Sequence, residues 1–194
     1  MHDKTNFSFI LASKSPRRRE LLEKAGYHFK PVSPNVDETA FDTSIGPAEF
    51  AKLLALAKAK SVAQNYKEKI VVGADTIVDF DGRIIGKAAG ERDAEKIVRL
   101  LFSRPHKVIT GLAIVRLKDN LEIVESDTTI VYPKPMTDEQ IAEHIESGTW
   151  RDKAGAYAIQ ETGDQFVEKI AGSLTNVMGM PMELFEKLLT KVKK

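Results

Sequence analysis

The apolar residues near the start of the chain form a short run, and a segment with helical spacing follows it. The run FSFILAS, residues 7–13, is typical of a buried strand. The next segment, PRRRELLEKAGY, predicts a helix with Ser15 as its N-cap and Pro16 in its first turn. Gly26 marks the end of this helix. The pattern therefore predicts a strand, a loop and a helix in this order.

The same alternation continues through the middle of the chain. Residues 46–66 carry apolar side chains at helical spacing after a proline, which predicts a second helix. Residues 69–80 are apolar and β-branched up to an Asp-Gly pair, which predicts a buried strand that enters a hairpin. A helix is predicted over residues 90–102. Residues 106–132 predict two long strands on either side of an Asp-Asn turn.

Two more helices are predicted near the end of the chain, one between Thr137 and Gly148 and one after Pro181. Helices that alternate with strands, together with one long antiparallel strand pair, indicate the α/β class. We expect a mixed, elongated central sheet flanked by helices. The length of 194 residues suffices for one domain, so we predict a single domain over residues 1–194, with two lobes around a cleft.

Composition limits the classes of partner. With 29 basic and 28 acidic residues the formal charge is +1, so no chain-wide field attracts nucleic acid or anionic membranes. An anion must be bound by a local cluster of cations. The absence of cysteine excludes disulfides and thiolate metal sites and agrees with a reducing compartment. The first apolar run is too short for a signal peptide or a membrane span. We therefore expect a cytoplasmic protein.

Three consecutive arginines follow the Ser-Pro pair in SKSPRRR. In an α/β protein the first strand-to-helix loop presents free N–H groups and the positive end of a helix, which together favour an anion. A guanidinium group matches phosphate oxygens in a bidentate way. At least one of Arg17, Arg18 and Arg19 is a predicted phosphate ligand, and Arg17, the arginine nearest the helix start, is favoured. The alternative is that these arginines are solvated.

Carboxylates and lysines supply further candidates. Asp75 lies inside a predicted buried strand, where an unpaired carboxylate is costly, so it should meet a metal, a cation or a set of donors. The alternative is a structural aspartate bonded to a loop. Glu38, beside Asp37 in a proline-containing loop, is either a metal ligand or a solvated acid. Lys58 and Lys87 are phosphate ligands or ordinary surface residues.

The segment DKAGAYAIQET, residues 152–162, has a different character. Its small residues let the backbone approach a ligand closely. Lys153 offers a cation for phosphate, and Gln160 offers an amide for the edge of a base. P-loop, HExxH and GxSxG motifs are absent from the sequence.

Eight segments of the chain resemble the Maf (septum-formation) proteins, which are nucleotide pyrophosphatases with an inosine-triphosphatase-like α/β fold. They run in family order from Leu11 to about Leu189: LASKSPRRRELL, VDE, LALAKA, GADTIV, DGRIIGK, HKVITG, DKAGAYAIQ and GSLTNVMGMP. The resemblance implies a nucleotide cleft, a homodimer, and a role in division arrest or in cleaning the nucleotide pool.

The resemblance also implies roles for particular residues. Asp75 matches the catalytic proton acceptor of the family. The residues that match its nucleotide site are Ser13, Arg17, Glu38, Lys58, Lys87, Lys153 and Gln160. Three specificity positions, Arg17, Thr76 and Gln160, are similar to the branch that acts on dTTP and UTP. A second branch, which acts on 7-methyl-GTP, carries other residues there.

These observations predict hydrolysis of a nucleoside triphosphate to the monophosphate and pyrophosphate. Arg17, Lys58 and Lys87 would hold the triphosphate, and Mg²⁺ or Mn²⁺ would be carried by Glu38 and Asp75. Asp75 would deprotonate the attacking water. The alternatives are a pyrophosphatase for other or modified nucleotides such as 7-methyl-GTP, a non-catalytic nucleotide-binding regulator, or a structural scaffold.

Overall fold

A mixed seven-stranded sheet forms the centre of the protein in the computed structural model, which describes residues 7–157, 159 and 165–192. The strands are β1 (Ser8–Ala12), β2 (His28–Val32), β3 (Val71–Phe80), β4 (Arg83–Ile85), β5 (His106–Arg116), β6 (Leu121–Pro133) and β7 (Val167–Ala171). The helices are α1 (Pro16–Lys24), α2 (Pro47–Ala63), α3 (Glu91–Leu101), α4 (Asp138–Ser147), α5 (Leu174–Val177) and α6 (Met182–Val192).

The sheet has the order β2-β1-β3-β5-β6-β7, and β4 pairs with β3. β1 is parallel to β2 and β3, whereas all other pairs are antiparallel. The predicted α/β class with a mixed sheet flanked by helices is therefore confirmed. Among the residues that the structure describes, no helix is both long enough and apolar enough to span a membrane.

Local signals explain where several elements begin and end. The side chain of Ser15 accepts a hydrogen bond from the backbone N–H of Arg18, and Pro16 opens α1 as predicted. Asp81 and Gly82 have φ of 52° and 80°, which is the geometry that a two-residue hairpin between β3 and β4 requires. β2 and β7 were not predicted.

Helix α2 covers one face of the sheet at unusually close range. A Cβ atom added at Gly73 would lie 2.3 Å from the carbonyl oxygen of Ala55, and one added at Gly111 would lie 2.2 Å from that of Ala51. Only glycine at both positions lets the helix backbone approach the strands this closely. The approach positions Lys58 of α2 above β3.

Two apolar clusters cover the other face. One is centred on α1 and α6 and includes Leu22, Leu112 and Phe185. The second is centred on α3 and α4 and includes Val78 and Val108. The clusters lie at different ends of the strands, so the sheet face between them is left for polar side chains.

The edge of β3 has a gap between its two partners. Because β5 pairs with β3 from residue 71 to residue 79, β1 and β4 share the opposite edge. β1 pairs at residues 71–73 and β4 at residues 78–80. Within the described part of the chain, no strand pairs with residues 74–77 on that edge. Both faces of the sheet are therefore accessible from one opening.

Candidate active site

A cleft of about 420 Å³ lies at this gap in the sheet edge. Asp75 and Thr76 lie in the gap, and successive strand residues point to opposite faces. Asp75 meets α2 on one face, and Thr76 meets α1 on the other. Side chains from both faces of the sheet therefore line the cleft.

A carboxylate and a lysine form the α2 side of the cleft. Asp75 is only 6% exposed, and its Oδ1 lies 2.5 Å from Nζ of Lys58. The same ammonium group lies 2.7 Å from Oε1 of Glu38, whose side chain is about half exposed. A buried carboxylate without a partner is costly, so Lys58 compensates the charge of Asp75. Glu38 is the exposed member of this group.

The neighbouring acid, Asp37, has a different task. Its Oδ1 accepts hydrogen bonds from the hydroxyl and the backbone N–H of Thr39, at 2.7 Å and 3.0 Å. These bonds lower the pKa of Asp37. Asp37 therefore caps the short 3₁₀ helix Glu38–Ala40 and fixes the start of the turn that carries Glu38.

A guanidinium group forms the α1 side of the cleft. Nε of Arg18 donates to the carbonyl of Gly179 at 2.7 Å, and Nη2 donates to Oγ1 of Thr76 at 3.0 Å. Nη1 donates to Oγ of Ser13 at 3.3 Å. Burial lowers the pKa of Arg18, and the negative charge of Asp75 opposes that shift. Arg17 also lines the cleft.

A short loop, residues 152–157, forms another wall of the cleft. Ala154 pairs with Lys87 in an isolated bridge, and the N–H of Gly155 donates to the carbonyl of the residue before Lys87 at 3.0 Å. The pairing joins this loop to the segment after the β3–β4 hairpin. It brings Lys87 and Lys153 to the same cleft.

Two buried histidines hold this loop in a strained conformation. Ala156 has φ of 55°, in the left-handed region that is unfavourable for residues other than glycine. Nε2 of His144 donates to the carbonyl of Ala156 at 2.8 Å. Nδ1 of His106 donates to the carbonyl of Leu101, so its Nε2 accepts from the hydroxyl of Tyr157 at 2.7 Å.

The His106–Tyr157 pair stays neutral at ordinary pH. Burial lowers the pKa of His106 to about 4 and raises the pKa of Tyr157. Neither group is therefore poised to exchange protons near pH 7. The pair instead anchors the loop that carries Lys153.

The model of the family of Maf-like proteins matches residues 8–192. The chain belongs to the Maf family. Two curated relatives named "dTTP/UTP pyrophosphatase" are similar to it over nearly their whole length. The relative from Elusimicrobium minutum is 46% identical over 181 residues, which are 93% of this chain and 96% of that protein. The relative from Dictyoglomus thermophilum is 41% identical over 183 residues, which are 94% of this chain and 95% of that protein.

One solved structure in the comparison is the nucleoside-triphosphatase, or dITP/XTP pyrophosphatase, of Mycobacterium abscessus. It is 16% identical to this chain, with a TM-score of 0.45, and the match covers 67% of this chain and 76% of that one.

The Maf-family chain brings most of the predicted site residues to one cleft. Those that line it are Arg17, Glu38, Lys58, Asp75, Thr76, Lys87 and Lys153. Ser13 is 5% exposed and lies beneath the lining, where its Oγ accepts from the N–H of Ser15 and from Arg18. Gln160 lies outside the described residues. The chemical roles of all nine residues stay predictions.

The sequence predicts a phosphate ligand among the three arginines and favours Arg17, whereas in this Maf-family site Arg18 makes the contacts to Ser13 and Thr76. Gly179 was not singled out, although a Cβ added there would lie 3.2 Å from Oγ1 of Thr76, and its φ is 97°. No local signal in SKSPRRR separates Arg18 from Arg17, because the side chain of Arg18 contacts Thr76 and Gly179, which are distant in sequence.

Proposed function

We propose that this protein hydrolyses dTTP and UTP to the nucleoside monophosphate and pyrophosphate. Its main support is one cleft in which the buried Asp75, its partner Lys58 and the arginine turn meet, where the arginine turn is residues 15–18 at the start of α1. The names of the two relatives, dTTP/UTP pyrophosphatases, support the substrate class. The mixed α/β sheet provides the edge at which these groups converge.

The charges of the cleft favour a polyphosphate. Its lining contains five cations, Arg17, Arg18, Lys58, Lys87 and Lys153, against three acids, Glu38, Asp75 and Asp152, which leaves a local charge of +2. A nucleoside triphosphate carries about four negative charges, which must be offset before water can attack the α-phosphorus. The local excess of cations supplies part of this compensation, although the whole chain has a charge of only +1.

Asp75 is the proposed proton acceptor. Its Oδ1 is bound to Lys58, and among the described residues its Oδ2 has no hydrogen-bond partner. Oδ2 accepts a proton from water as the water oxygen bonds to the α-phosphorus. The bond between that phosphorus and the bridging oxygen breaks, and pyrophosphate leaves. Lys58 keeps Asp75 oriented during this step.

The donor set also fits a divalent cation that binds together with the nucleotide. Within the described residues, no three acidic or imidazole side chains form a metal cluster. Mg²⁺ keeps several waters and commonly takes one or two carboxylates plus phosphate oxygens, and Mn²⁺ prefers similar oxygen ligands. Glu38 and Asp75, which share Lys58, would supply those carboxylates. When bound, the ion would neutralise charge on the phosphate oxygens.

Base selection is proposed to favour pyrimidines. Arg17 and Thr76 line the cleft, and the third specificity position, Gln160, matches the family branch that acts on dTTP and UTP. Polar groups left unpaired by a wrong base are penalised by roughly 1 to 3 kcal/mol each. The expected result is a preference and not absolute selection.

A panel of triphosphates tests this function. The purified protein is incubated with dTTP, UTP, CTP, GTP, ATP and 7-methyl-GTP, with and without Mg²⁺, and the products are separated by ion-exchange chromatography. We expect dTMP or UMP and pyrophosphate to form fastest, and only with the metal ion. Release of orthophosphate from the γ-position would contradict the proposed bond cleavage. Preference for 7-methyl-GTP would assign the chain to the other branch.

We also propose, from the family resemblance, that the protein is a cytoplasmic homodimer. Light scattering after gel filtration should give a mass of twice the 21.6 kDa of the chain. A mass equal to that of one chain would contradict the dimer.

A further inference from the structure

A row of hydrogen bonds crosses the sheet behind the arginine turn. Thr76 on β3 lies directly opposite Thr110 on β5, and their hydroxyl oxygens are 3.0 Å apart. Thr76 also receives the bond from Nη2 of Arg18, and Thr110 donates to the carbonyl of Asn176 at 3.1 Å. Thr110 and Asn176 have no exposed surface and do not line the cleft. The row therefore connects a cleft residue to buried groups.

The direction of this row is determined by its two ends. A guanidinium group can only donate, and a carbonyl oxygen can only accept. Each threonine hydroxyl has one proton, so Thr76 accepts from Arg18 and donates to Thr110, and Thr110 donates to Asn176. If Thr110 donated to Thr76 instead, the carbonyl oxygen of Asn176 would lose its hydrogen bond from the Thr110 hydroxyl.

The row lies between the two apolar clusters. Residues two positions away from Thr110 on the same strand face are Val108 and Leu112, which belong to different clusters. In such surroundings a hydrogen bond is strong, and a hydroxyl that loses its partner is costly. Removal of the Thr110 hydroxyl should therefore disturb its neighbours in the row.

The far end of the row supports the second anchor of Arg18. Nδ2 of Asn176 donates to the carbonyl of Val108 and to Oγ1 of Thr129, both at 3.0 Å. The N–H of Gly179 donates to the carbonyl of Asn176 at 2.9 Å, and the carbonyl of Gly179 accepts from Arg18. Thr110 is thus linked to both Thr76 and the Gly179 turn.

We propose that Thr110 is a positioning residue of the triphosphate site, an inference that rests on the function proposed above. Of the five N–H groups of Arg18, three are bound by Gly179, Ser13 and Thr76. Two N–H groups have no partner among the described residues. Thr110 holds the guanidinium, through Thr76 and Asn176, so that these two groups are aimed at phosphate oxygens.

The test compares Thr110→Val, which keeps the shape of the side chain, with Thr110→Ser, which keeps the hydroxyl. We expect Thr110→Val to lower kcat/KM for dTTP and to weaken binding of inorganic pyrophosphate, each roughly tenfold, since misorientation of a binding group is costly. Thr110→Ser should restore both within about threefold. Should Thr110→Val fail to fold, Thr76→Val breaks the same row one bond nearer to Arg18 and is expected to have the same effect.

Thr129→Val is the matched control. Thr129 is equally buried and also makes two hydrogen bonds, to Asn176 and to the carbonyl of Ser173, but it does not contact Thr76. Thr129→Val should lower the melting temperature about as much as Thr110→Val does, but it should weaken pyrophosphate binding less than Thr110→Val does. Equal effects of the two variants on pyrophosphate binding would overturn the positioning role.

A double-mutant cycle with Arg18→Gln completes the test. If Thr110 acts through Arg18, Thr110→Val should change pyrophosphate affinity by less than about twofold in the Arg18→Gln background. An undiminished tenfold effect in that background would overturn the proposal, as would unchanged binding by Thr110→Val alone. Binding of pyrophosphate is measured by calorimetry and needs no turnover. If the variants change pyrophosphate binding as expected but the wild-type protein hydrolyses no triphosphate, the proposed function is refuted and the positioning role of Thr110 is not.

Discussion

Replacement of Gly111 by alanine should separate α2 from the sheet. Gly111 lies opposite Asp75 in the register of β3 and β5, and its added Cβ would lie 2.2 Å from the carbonyl oxygen of Ala51. Real Cβ atoms essentially never approach closer than 3.0 Å, so the helix backbone must move by at least about 0.8 Å, the difference between these distances. Because the position of a Cβ atom is fixed by its own backbone, no side-chain rotation can relieve this contact.

The displacement has two consequences that can be measured. Overpacking of this kind costs about 1–3 kcal/mol, which for a chain of this size lowers the melting temperature by roughly 2–12 °C. Lys58 moves with α2 away from Asp75, and a misplacement of about 1 Å in a reacting group costs on the order of 100-fold in rate. We therefore expect kcat/KM for dTTP to fall far more than the loss of stability alone would explain.

Thermal unfolding by circular dichroism and the dTTP assay, both run below the melting temperature, provide the two readouts. Gly90→Ala is the control, because an added Cβ there has nothing within 4 Å and the backbone φ is −179°. It should lower stability by less than about 1 kcal/mol. If Gly111→Ala unfolds within 1 °C of the wild type and keeps full activity, the close approach of α2 does not position Lys58.

Three further predictions concern protonation, charge and metal. Below pH 6.5 His106 becomes protonated in the unfolded chain, but in the folded protein its pKa is about 4 and it stays neutral. The free energy of unfolding should therefore fall by up to about 3 kcal/mol as the pH is lowered to 4. Urea titrations at several pH values should show a smaller fall in the free energy of unfolding for His106→Gln than for the wild type. An equal fall in both proteins would contradict the low pKa of His106. Glu38→Gln should change stability by less than about 1 kcal/mol, because its ion pair with Lys58 is half exposed, yet raise the Mg²⁺ concentration needed for half-maximal rate. An unchanged Mg²⁺ requirement would show that Glu38 is not a ligand of the ion. Chelation by EDTA should abolish turnover and Mg²⁺ should restore it, whereas activity in EDTA would rule out the metal requirement.

Much of the fold was predictable because its signals are local. The cap at Ser15 and the hairpin residues Asp81 and Gly82 act within a few residues, and the structure has them where they were predicted. β2 and β7 carry no such signal. Their side chains are mostly exposed, and each strand pairs with only one neighbour, so apolar periodicity is weak in both.

The candidate site was predictable in its residue types but not in its arrangement. Asp75 and Thr76 are adjacent in sequence and point to opposite faces, yet they line one cleft because β1 and β4 leave a gap in the edge of β3. That gap depends on strand registers set by distant segments. For the same reason the sequence favours Arg17 over Arg18. The side chain of Arg18 contacts Thr76 and Gly179, which are far away in sequence.

In the proposed reaction Asp75 accepts the proton of the attacking water while Lys58 and the arginine turn hold the triphosphate. The most direct measurement compares turnover of dTTP with binding of a non-hydrolysable triphosphate in Asp75→Asn. We expect turnover to fall by several orders of magnitude, whereas affinity measured without Mg²⁺ should be kept or improved, because Lys58 is released from its carboxylate partner. Turnover by Asp75→Asn at a rate comparable to that of the wild type would contradict it.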